Sequence, residues 1–533
     1  MSIRGASAVG RVALLGLALG LPGAAQEVSD KLDAGLDDPN RAYPVFVRMT
    51  DQLFARGGDY ERYAREHARD RRGELRKQVV RTLREKSDRS WETLKGRVQK
   101  LQEQGDLKAT ARFWIVNGLA GDATLKACRE LAGDPAVSFV YLQRGPPGLR
   151  QHHLAAREPQ KLTDEQAKAL AGVLKTLDDK EPPFSAKGLE VPWNLQQLQA
   201  DRVWEEERVA GEGVVVAVAD SGLLLAPPLT RALWKNPGEE LNGRDDDGNG
   251  LIDDLVGYDF QAHSGFALGD PAVPHGSACA GIIAGRPVPE KALVTGVAPR
   301  ARLMVLRGMG YLKAYEYAAE NGADALSMSY MWVNMELGHY RGLFRNAHEH
   351  LAAAGVVALG GAGNFAQTAP AGRQITLPKD IPCVIAAAGI VKDGSQPAFS
   401  SRGPCTWKGV KFYDDHPDEA PLLKPDVTTF NAGFPCWSTP AYARAGRLRE
   451  AWKSADESYG LYLGLQGNSF AGPHVAGVVA LMLSANPDLH AWEVKEILEA
   501  TCQDLGDKGR DVATGAGLVR SLEAVRAARK VKK

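Results

Sequence analysis

Three polar residues occur where a hydroxyl group could be activated to attack an amide. Asp220 ends the apolar run VVVAVAD, His275 begins the small-residue segment HGSACAG, and Ser469 lies within GNSFAGPHVAG. Hydroxyl attack needs a base that takes the proton and a carboxylate that orients the base. Each residue also has an ordinary structural explanation, because Asp220 could be a turn residue, His275 a surface or capping histidine, and Ser469 a helix N-cap. The prediction of acyl-transfer chemistry therefore rests on the three segments together.

The segment around Ser469 is the most specific of the three. Pro473 suits the first turn of a helix, which puts Ser469 at or just before a helix N-terminus. There the free N–H groups and the positive end of the helix dipole favour the negative charge that develops during acyl transfer. A plain N-cap serine does not require so many neighbouring glycines and alanines, so the segment favours a nucleophile.

A glycine-rich turn offers a fourth group. Residues 360–364, GGAGN, follow the apolar run GVVAL, and Asn364 ends the turn with a side-chain amide. Glycines let the backbone approach closely, and an amide N–H beside a scissile carbonyl stabilises the oxyanion. Asparagine is also common in glycine-rich turns, so the assignment of Asn364 depends on the other three segments.

Residues 242–254, NGRDDDGNGLIDD, are dense in oxygen ligands. Five of them have the spacing of positions 1, 3, 5, 7 and 9 of a calcium-binding loop, the fourth acting through its carbonyl: Asp245, Asp247, Asn249, Leu251 and Asp253. Val256 stands where such loops carry a bidentate glutamate, and Asp254 is the nearest substitute. The alternative is a solvated acidic turn. The loop therefore predicts a candidate structural calcium site, whereas the chemistry above needs no cofactor.

These groups need a scaffold that brings them together. From about Trp193 onward, runs such as residues 213–218 and 355–359 are continuously apolar or β-branched, which is typical of parallel strands buried on both faces. Helix-like segments alternate with these runs: 277–284, 311–321, 336–354 and 472–485. The pattern predicts an α/β fold with a mostly parallel sheet and helices on both faces. Polar residues at the carboxyl ends of such strands meet at one edge of the sheet.

The whole chain sets limits on location and partners. Its 533 residues exceed one compact domain, and Lys+Arg and Asp+Glu both total 65, which gives no reason to expect a nucleic-acid partner. Arg4 and Arg11 flank the start of a short apolar run that ends in PGAA, which predicts a signal peptide over residues 1–25 and a secreted protein, extracellular or periplasmic. The alternative is a buried N-terminal helix. No later apolar stretch is long enough for a membrane anchor, and the pairing of the six cysteines cannot be deduced from sequence.

Residues 41–143 predict a small α+β unit that precedes this fold. Its strand-like and helix-like segments are 43–49 (strand), 60–104 (one or two amphipathic helices), 111–116 (strand), 122–131 (helix) and 137–142 (strand). Residues 144–190 are rich in Pro, Lys, Asp and Gln and predict an exposed linker, with a short helix near 163–177.

Taken in order, these segments resemble the subtilisin-like serine protease (subtilase) family over residues 193–525. The chain order Asp220, His275, Ser469 is that of subtilisin, and GGAGN resembles the family's oxyanion segment. Residues 41–143 are similar to the family's inhibitory propeptide, through VNGLA and DPAVSFV. The resemblance implies an endopeptidase for protein or peptide substrates, made as a precursor that cuts itself in the linker and is inhibited by its own propeptide.

Several residues near the site depart from the family pattern. SAC at 277–279 stands where the family usually has Thr-His-Val, Asn468 and Phe470 stand where it has Thr and Met, and YMW at 330–332 is bulkier than the usual glycine. None removes Ser469 as nucleophile, His275 as base or Asp220 as orienting carboxylate, so they bear on substrate preference. Two rival functions are a weak pseudoprotease that acts as an extracellular binding protein and a calcium-dependent structural protein of the cell exterior. The four-part site favours the endopeptidase.

Overall fold

The computed structural model describes residues 22–533 except 146–150, 152–157, 178–180, 270–271, 288–292, 444–447 and 454–457. The predicted signal peptide, residues 1–25, therefore lies outside the described residues apart from its last four, which begin the first helix. Among the described residues, no helix combines the length and the apolar character that crossing a bilayer requires. All six cysteines are free thiols in this structure.

The N-terminal part of the chain forms a four-stranded antiparallel sheet with helices. The strands are β1 Ala42–Met49, β2 Leu107–Phe113, β3 Gly118–Thr124 and β4 Val137–Leu142, in the order β2-β3-β1-β4. The helices are α1 Pro22–Ser29, α2 Asp59–Glu66, α3 Arg72–Glu103 and α4 Leu125–Ala132. The helix predicted at 122–131 begins later, because β3 runs to Thr124, whose side chain accepts a hydrogen bond from Ala127 N at 3.2 Å and caps α4. We did not predict β3.

The larger part of the chain is built on seven strands that all pair in parallel. They are β5 Val215–Asp220, β6 Gly257–Asp259, β7 Arg302–Arg307, β8 Ala325–Met328, β9 Val357–Gly361, β10 Ile385–Ile390 and β11 Val427–Phe430, in the order β11-β10-β9-β8-β5-β7-β6. The predicted α/β class with a parallel sheet is thus confirmed. The strand order changes direction at β5, and ligands of open α/β sheets bind in the crevice at such a switch point. Asp220 is the last residue of β5.

Helices surround this sheet. They are α5 Asp164–Leu174, α6 Trp193–Leu198, α7 Ala200–Arg202, α8 Pro227–Thr230, α9 His275–Ala284, α10 Leu312–Glu320, α11 Arg341–Ala353, α12 Pro440–Ala443, α13 Asn468–Ala485, α14 Ala491–Thr501 and α15 Ser521–Ala528. A three-stranded sheet, order β12-β14-β13, is made of β12 Cys436–Ser438, β13 Leu448–Lys453 and β14 Gly460–Tyr462. Helix α13 is apolar on all sides because it is buried between α9 and strands β8–β11.

Helix α13 lies unusually close to β9. A Cβ atom added at Gly472 would lie 2.6 Å from the backbone N of Gly361, and one added at Gly361 would overlap the carbonyl oxygen of Asn468. Side chains at these two positions would therefore push the helix away from the strand. The two glycines allow the first turn of α13 to reach the carboxyl end of the sheet.

The N-terminal unit is docked on the larger unit, and one apolar core contains residues of both. Arg72 of α3 lies 2.8 Å from the buried Asp324, and Glu316 of α10 accepts hydrogen bonds from Trp114 N at 2.5 Å and Ile115 N at 3.1 Å. These polar groups are matched across the contact, which offsets the cost of their burial.

His350 of α11 joins the two units at the centre of the contact. Its Nε2 accepts a hydrogen bond from Phe54 N at 3.2 Å, and its Nδ1 lies 2.5 Å from Ile115 O. Burial lowers the pKa of His350 to about 3, so the ring remains neutral and keeps both hydrogen bonds at neutral pH.

The close approach of α13 to β9 predicts opposite effects for two Gly→Ala substitutions. Gly472→Ala should destabilise the protein by about 1–3 kcal/mol, because backbone atoms would have to move. Gly96→Ala in α3, where nothing lies within 4 Å of the added Cβ, should stabilise it by up to about 1 kcal/mol through helix propensity. Thermal unfolding in a Ser469→Ala background, which prevents self-digestion, measures both. Equal effects of the two changes would contradict the close approach.

Candidate active site

The structure brings Asp220 and His275 into direct contact. His275 Nδ1 lies 2.8 Å from Asp220 Oδ1 and 3.0 Å from Oδ2, and Asp220 is 4% exposed. The contact forms because His275 begins α9, whose next residue, Gly276, packs against the loop after β5. A Cβ at Gly276 would overlap the carbonyl oxygen of Gly222, and Gly276 N donates to Ser221 Oγ at 3.0 Å.

The charge of Asp220 controls the protonation of His275. Burial of the ring acts to lower the pKa of His275, but the neighbouring Asp220 carboxylate outweighs it, so that the pKa is raised well above its ordinary value. The hydrogen bond at Nδ1 also leaves Nε2 as the ring nitrogen that can exchange a proton with a substrate or nucleophile.

Ser469 lies beside this pair, in the first turn of α13. Its carbonyl oxygen accepts hydrogen bonds from Ser329 Oγ at 2.7 Å and from the Cys279 thiol at 3.6 Å. The ring of Phe470 is centred 5.7 Å from that of His275. No hydrogen bond joins the Ser469 hydroxyl to His275 within the part of the chain that the structure describes.

Asn364 is held next to Ser469 by Asn468, the residue that precedes Ser469. The Oδ1 atom of Asn364 accepts a hydrogen bond from Asn468 N at 2.7 Å, which orients the side-chain amide of Asn364. The Nδ2 group of Asn364 donates to no acceptor among the described residues, and the side chain is only partly buried. An N–H donor thus remains available beside Ser469.

Asn468 holds the Ser469 and Asn364 segments together, a role that was not predicted from its place in the sequence. The side chain of Asn468 is fully buried. Its Nδ2 donates to Gly363 O at 2.7 Å and Ser400 Oγ at 2.9 Å, and its Oδ1 accepts from Asn431 Nδ2 at 2.9 Å. Asparagine donates two hydrogen bonds and accepts one here, whereas a threonine hydroxyl has only one hydrogen to donate.

Exposed apolar side chains lie on the loops around the site. Leu225 follows β5, Val273 precedes α9 and Met309 follows β7, and they are 40%, 45% and 44% exposed. Leu225 and Val273 lie within five residues of Asp220 and His275 along the chain, so their apolar side chains are available to a molecule bound at the site.

A second group of polar residues lies in the acidic loop. Carboxylate oxygens of Glu239, Asp245 and Asp247 all lie within 4.8 Å of one another. Glu239 is 3% exposed, and its Oε2 atom has no hydrogen-bond partner. Glu239 Oε1 accepts from the N–H groups of Asp246 at 2.7 Å and Asp247 at 3.2 Å, which brings it to the loop. Sequence analysis missed Glu239 because it precedes the spaced motif.

The predicted calcium ligands also make hydrogen bonds within the loop. Asn249 Oδ1 accepts from Leu251 N at 2.7 Å, Asp253 Oδ1 accepts from Asn242 N at 3.0 Å, and Asp245 Oδ1 accepts from Gly248 N at 2.8 Å. Of the three predicted aspartates, Asp245 and Asp247 lie together with Glu239, and Asp253 is outside this group of carboxylates.

Burial disfavours the charged forms of the acidic side chains in this loop. It raises the pKa of Glu239 to about 7 and that of Asp254 to about 6. Asp254 is fully buried, and its Oδ1 atom has no hydrogen-bond partner. Hard oxygen donors with unsatisfied, buried atoms fit a calcium ion.

Comparison with known proteins gives a match that lies within the larger unit. A family model described as the subtilase family matches residues 211–517, which is more than half of the chain. The chain belongs to the subtilase family. The match includes Asp220, His275, Asn364 and Ser469. The prediction of a subtilisin-like serine protease is thus confirmed at the level of the family.

Individual subtilases are similar to this chain over long segments. Subtilisin-like protease 1 of Plasmodium berghei is 25% identical over 65% of this chain and 55% of its own length. The calcium-dependent protease of Trichormus variabilis is 28% identical over 47% of this chain and 39% of its own length. Subtilisin DY of Bacillus licheniformis is 25% identical over 60% of this chain and 93% of its own length. The chain thus spans about half or less of the first two of these relatives.

The contact between Asp220 and His275 predicts a measurable change in acidity. Asp220→Asn removes the negative charge that raises the pKa of His275, so this pKa should fall. An NMR titration in the Ser469→Ala background measures it, with the His275 signal identified by its loss in His275→Gln. Asp259→Asn is the matched control, because Asp259 is also a buried aspartate at the end of a strand but pairs with Arg307 at 2.8 Å. A pKa that Asp220→Asn leaves unchanged would contradict the pairing.

Proposed function

We propose that this chain is a secreted serine endopeptidase that acts through Asp220, His275 and Ser469. The observation that carries the proposal is the Asp220–His275 pair beside Ser469, with the Asn364 amide oriented by Asn468 and free to donate. This arrangement contains a base with its orienting carboxylate, a hydroxyl and an oxyanion donor, which are the parts that acyl transfer requires.

The reaction runs in two halves. Ser469 Oγ attacks the carbonyl carbon of the substrate while its proton passes to His275 Nε2, and the oxygen of the tetrahedral intermediate accepts hydrogen bonds from Asn364 Nδ2 and Ser469 N. The C–N bond then breaks, and His275 gives the proton to the leaving amine. Water attacks the acyl-enzyme with His275 again as base, which releases the acid and restores Ser469.

The missing hydrogen bond between Ser469 and His275 is compatible with this role. Hydrogen bonds of catalytic groups are often long without substrate and shorten when substrate binds. The main chain of Ser469 is fixed by Ser329 and Cys279, so rotation of the Ser469 side chain is the movement that the bond requires.

Protein or peptide substrates suit the surroundings of the site. Three exposed apolar side chains, Leu225, Val273 and Met309, offer contact to an extended peptide. The relatives named above are proteases by their names. A site open to solvent on loops of different strands accommodates a polymer more readily than a small enclosed ligand.

We propose further that the N-terminal unit, residues 41–143, is an inhibitory propeptide and that the precursor cuts itself within the linker, residues 144–190. Gln151 supports this, since its Nε2 donates to Gly310 O at 3.0 Å. Gly310 lies two residues after Gly308, whose N donates to Asp220 O at 3.0 Å. Gln151, a residue of the linker, therefore lies near the chain segment that follows β7 and contacts the end of β5, which supports a linker that competes with substrate.

Calcium is proposed as a structural ion of the acidic loop, held by Glu239, Asp245 and Asp247. The name of the Trichormus relative, a calcium-dependent protease, is consistent with this. A bound divalent cation would neutralise the packed carboxylates and stabilise the loop.

The proposed reaction predicts the effects of two substitutions. Ser469→Ala should abolish casein hydrolysis and accumulate uncut precursor, because the nucleophile is lost. Asn364→Asp keeps an oxygen for Asn468 N but replaces the Nδ2 donor, so kcat should fall by about 10²-fold or more with little loss of stability. Steady-state kinetics, thermal unfolding and gel analysis of processing check these outcomes. Full activity of Ser469→Ala would refute the mechanism, and normal processing of that variant would refute self-cleavage.

The calcium proposal predicts a stability change. Adding calcium to the chelated protein should raise its melting temperature, by the equivalent of about 2.7 kcal/mol at a hundredfold excess over Kd. Glu239→Gln should largely remove this effect, whereas Glu240→Gln, an exposed neighbour outside the carboxylate group, should retain it. Differential scanning fluorimetry in the Ser469→Ala background measures the shift. A wild-type melting temperature that calcium leaves unchanged would rule out the site.

A further inference from the structure

The position of the reacting carbonyl follows from the site, if the proposed function holds. The carbonyl carbon must lie against Ser469 Oγ with its oxygen directed at Asn364 Nδ2. The side chain of the residue that carries this carbonyl, the one before the cut, must then lie against the segments that flank these atoms. Those segments are the backbone at Gly363, next to Asn364, and the chain after Ser329, which is bonded to Ser469 O at 2.7 Å.

Met331 occupies the space between these two segments. A Cβ atom added at Gly363 would lie 3.0 Å from Met331 Cε and 3.1 Å from Met331 Sδ, so the thioether lies against the backbone beside Asn364. Met331 Sδ also accepts a hydrogen bond from Thr376 N at 3.4 Å. The side chain is partly buried against a small apolar cluster that includes Ala362 and Ile375.

The backbone on both sides of Met331 is fixed. Lys379 Nζ donates to Tyr330 O at 2.5 Å, and Trp332 N donates to Leu377 O at 3.0 Å. The Tyr330 hydroxyl lies 2.8 Å from that of Tyr315. These contacts hold the backbone around Met331 in place, so only rotation of the Met331 side chain could make room.

We propose that Met331 determines specificity by filling the space in which the side chain before the cut would lie. The chain then cleaves after small residues such as Gly, Ala and Ser, and discriminates against large apolar ones such as Phe and Leu. This inference rests on the proposed function. A methylene group that a pocket cannot accommodate lowers kcat/KM by about tenfold or more. Because the methionine side chain is flexible, some cleavage after large residues remains.

The test compares the kcat/KM of the mature wild-type enzyme for two blocked tetrapeptide nitroanilides that differ only in the last residue, which is Ala in one and Phe in the other. The wild type should show a kcat/KM for Ala that exceeds the value for Phe by at least about tenfold. Met331→Ala should raise the ratio of kcat/KM for the Phe peptide to kcat/KM for the Ala peptide by about tenfold or more, mainly through a lower KM for the Phe peptide. Met335→Ala is the matched control, because Met335 is a methionine four residues further along the chain and is 38% exposed; it should keep the wild-type ratio.

The outcomes separate this inference from the proposed function. Labelling with a fluorophosphonate reports whether each variant has a folded, reactive site. Equal or faster cleavage after Phe by the wild type overturns the inference while the enzyme proposal stands. A labelled Met331→Ala with an unchanged ratio overturns the role of Met331. A wild type that cuts neither peptide and takes no label overturns the proposed function, and the inference with it.

Discussion

The site depends on how closely the first turn of α13 approaches the end of β9. Gly361 and Gly472 leave room for backbone to meet backbone. The buried Asn468 side chain, at the start of α13, bonds to Gly363 after β9 and to Asn431 after β11. This contact determines the separation of Ser469 from Asn364, since the Asn468 N–H orients the Asn364 amide. An oxyanion donor is effective only if it is fixed before the charge develops, and these contacts fix it.

The other half of the site depends on charge. Asp220 is the buried end of β5, and it raises the pKa of His275 against the effect of burial. A carboxylate also holds the opposite end of β5, because Asp324 Oδ2 accepts a hydrogen bond from Val215 N at 2.9 Å. The other oxygen of Asp324, Oδ1, pairs with Arg72 of α3 at 2.8 Å. The strand that carries Asp220 is thereby tied to the N-terminal unit.

The sequence was sufficient to predict the fold class, because the continuous apolar runs correctly predicted parallel strands. The segments of small residues around Asp220, His275, Asn364 and Ser469, and their order along the chain, were sufficient to propose the site, and the catalytic roles of these residues stay predictions. The strand β3 was missed because residues 118–124, GLAGDAT, have little intrinsic strand propensity. It forms because β1 and β2 pair with it on both sides.

The residues that sequence missed act through contacts that are distant along the chain. Glu239 lies before the acidic motif and joins it only through hydrogen bonds to the loop backbone. Asn468 and Met331 were noted only as departures from the family pattern, because the contacts of Asn468 with Ser400 and of Met331 with Gly363 are distant along the chain. Such roles depend on tertiary packing, which no local pattern encodes.

The central claim is that Ser469 is an activated nucleophile, and the most direct measurement is the site of covalent modification. Wild-type protein treated with a fluorophosphonate and digested for mass spectrometry should carry one adduct, on Ser469, formed faster as pH rises through the pKa of His275 because the neutral ring is the base. The sign follows from the mechanism, since protonated His275 cannot accept the proton of Ser469. No adduct on properly folded protein, or an adduct on another residue only, would contradict the account.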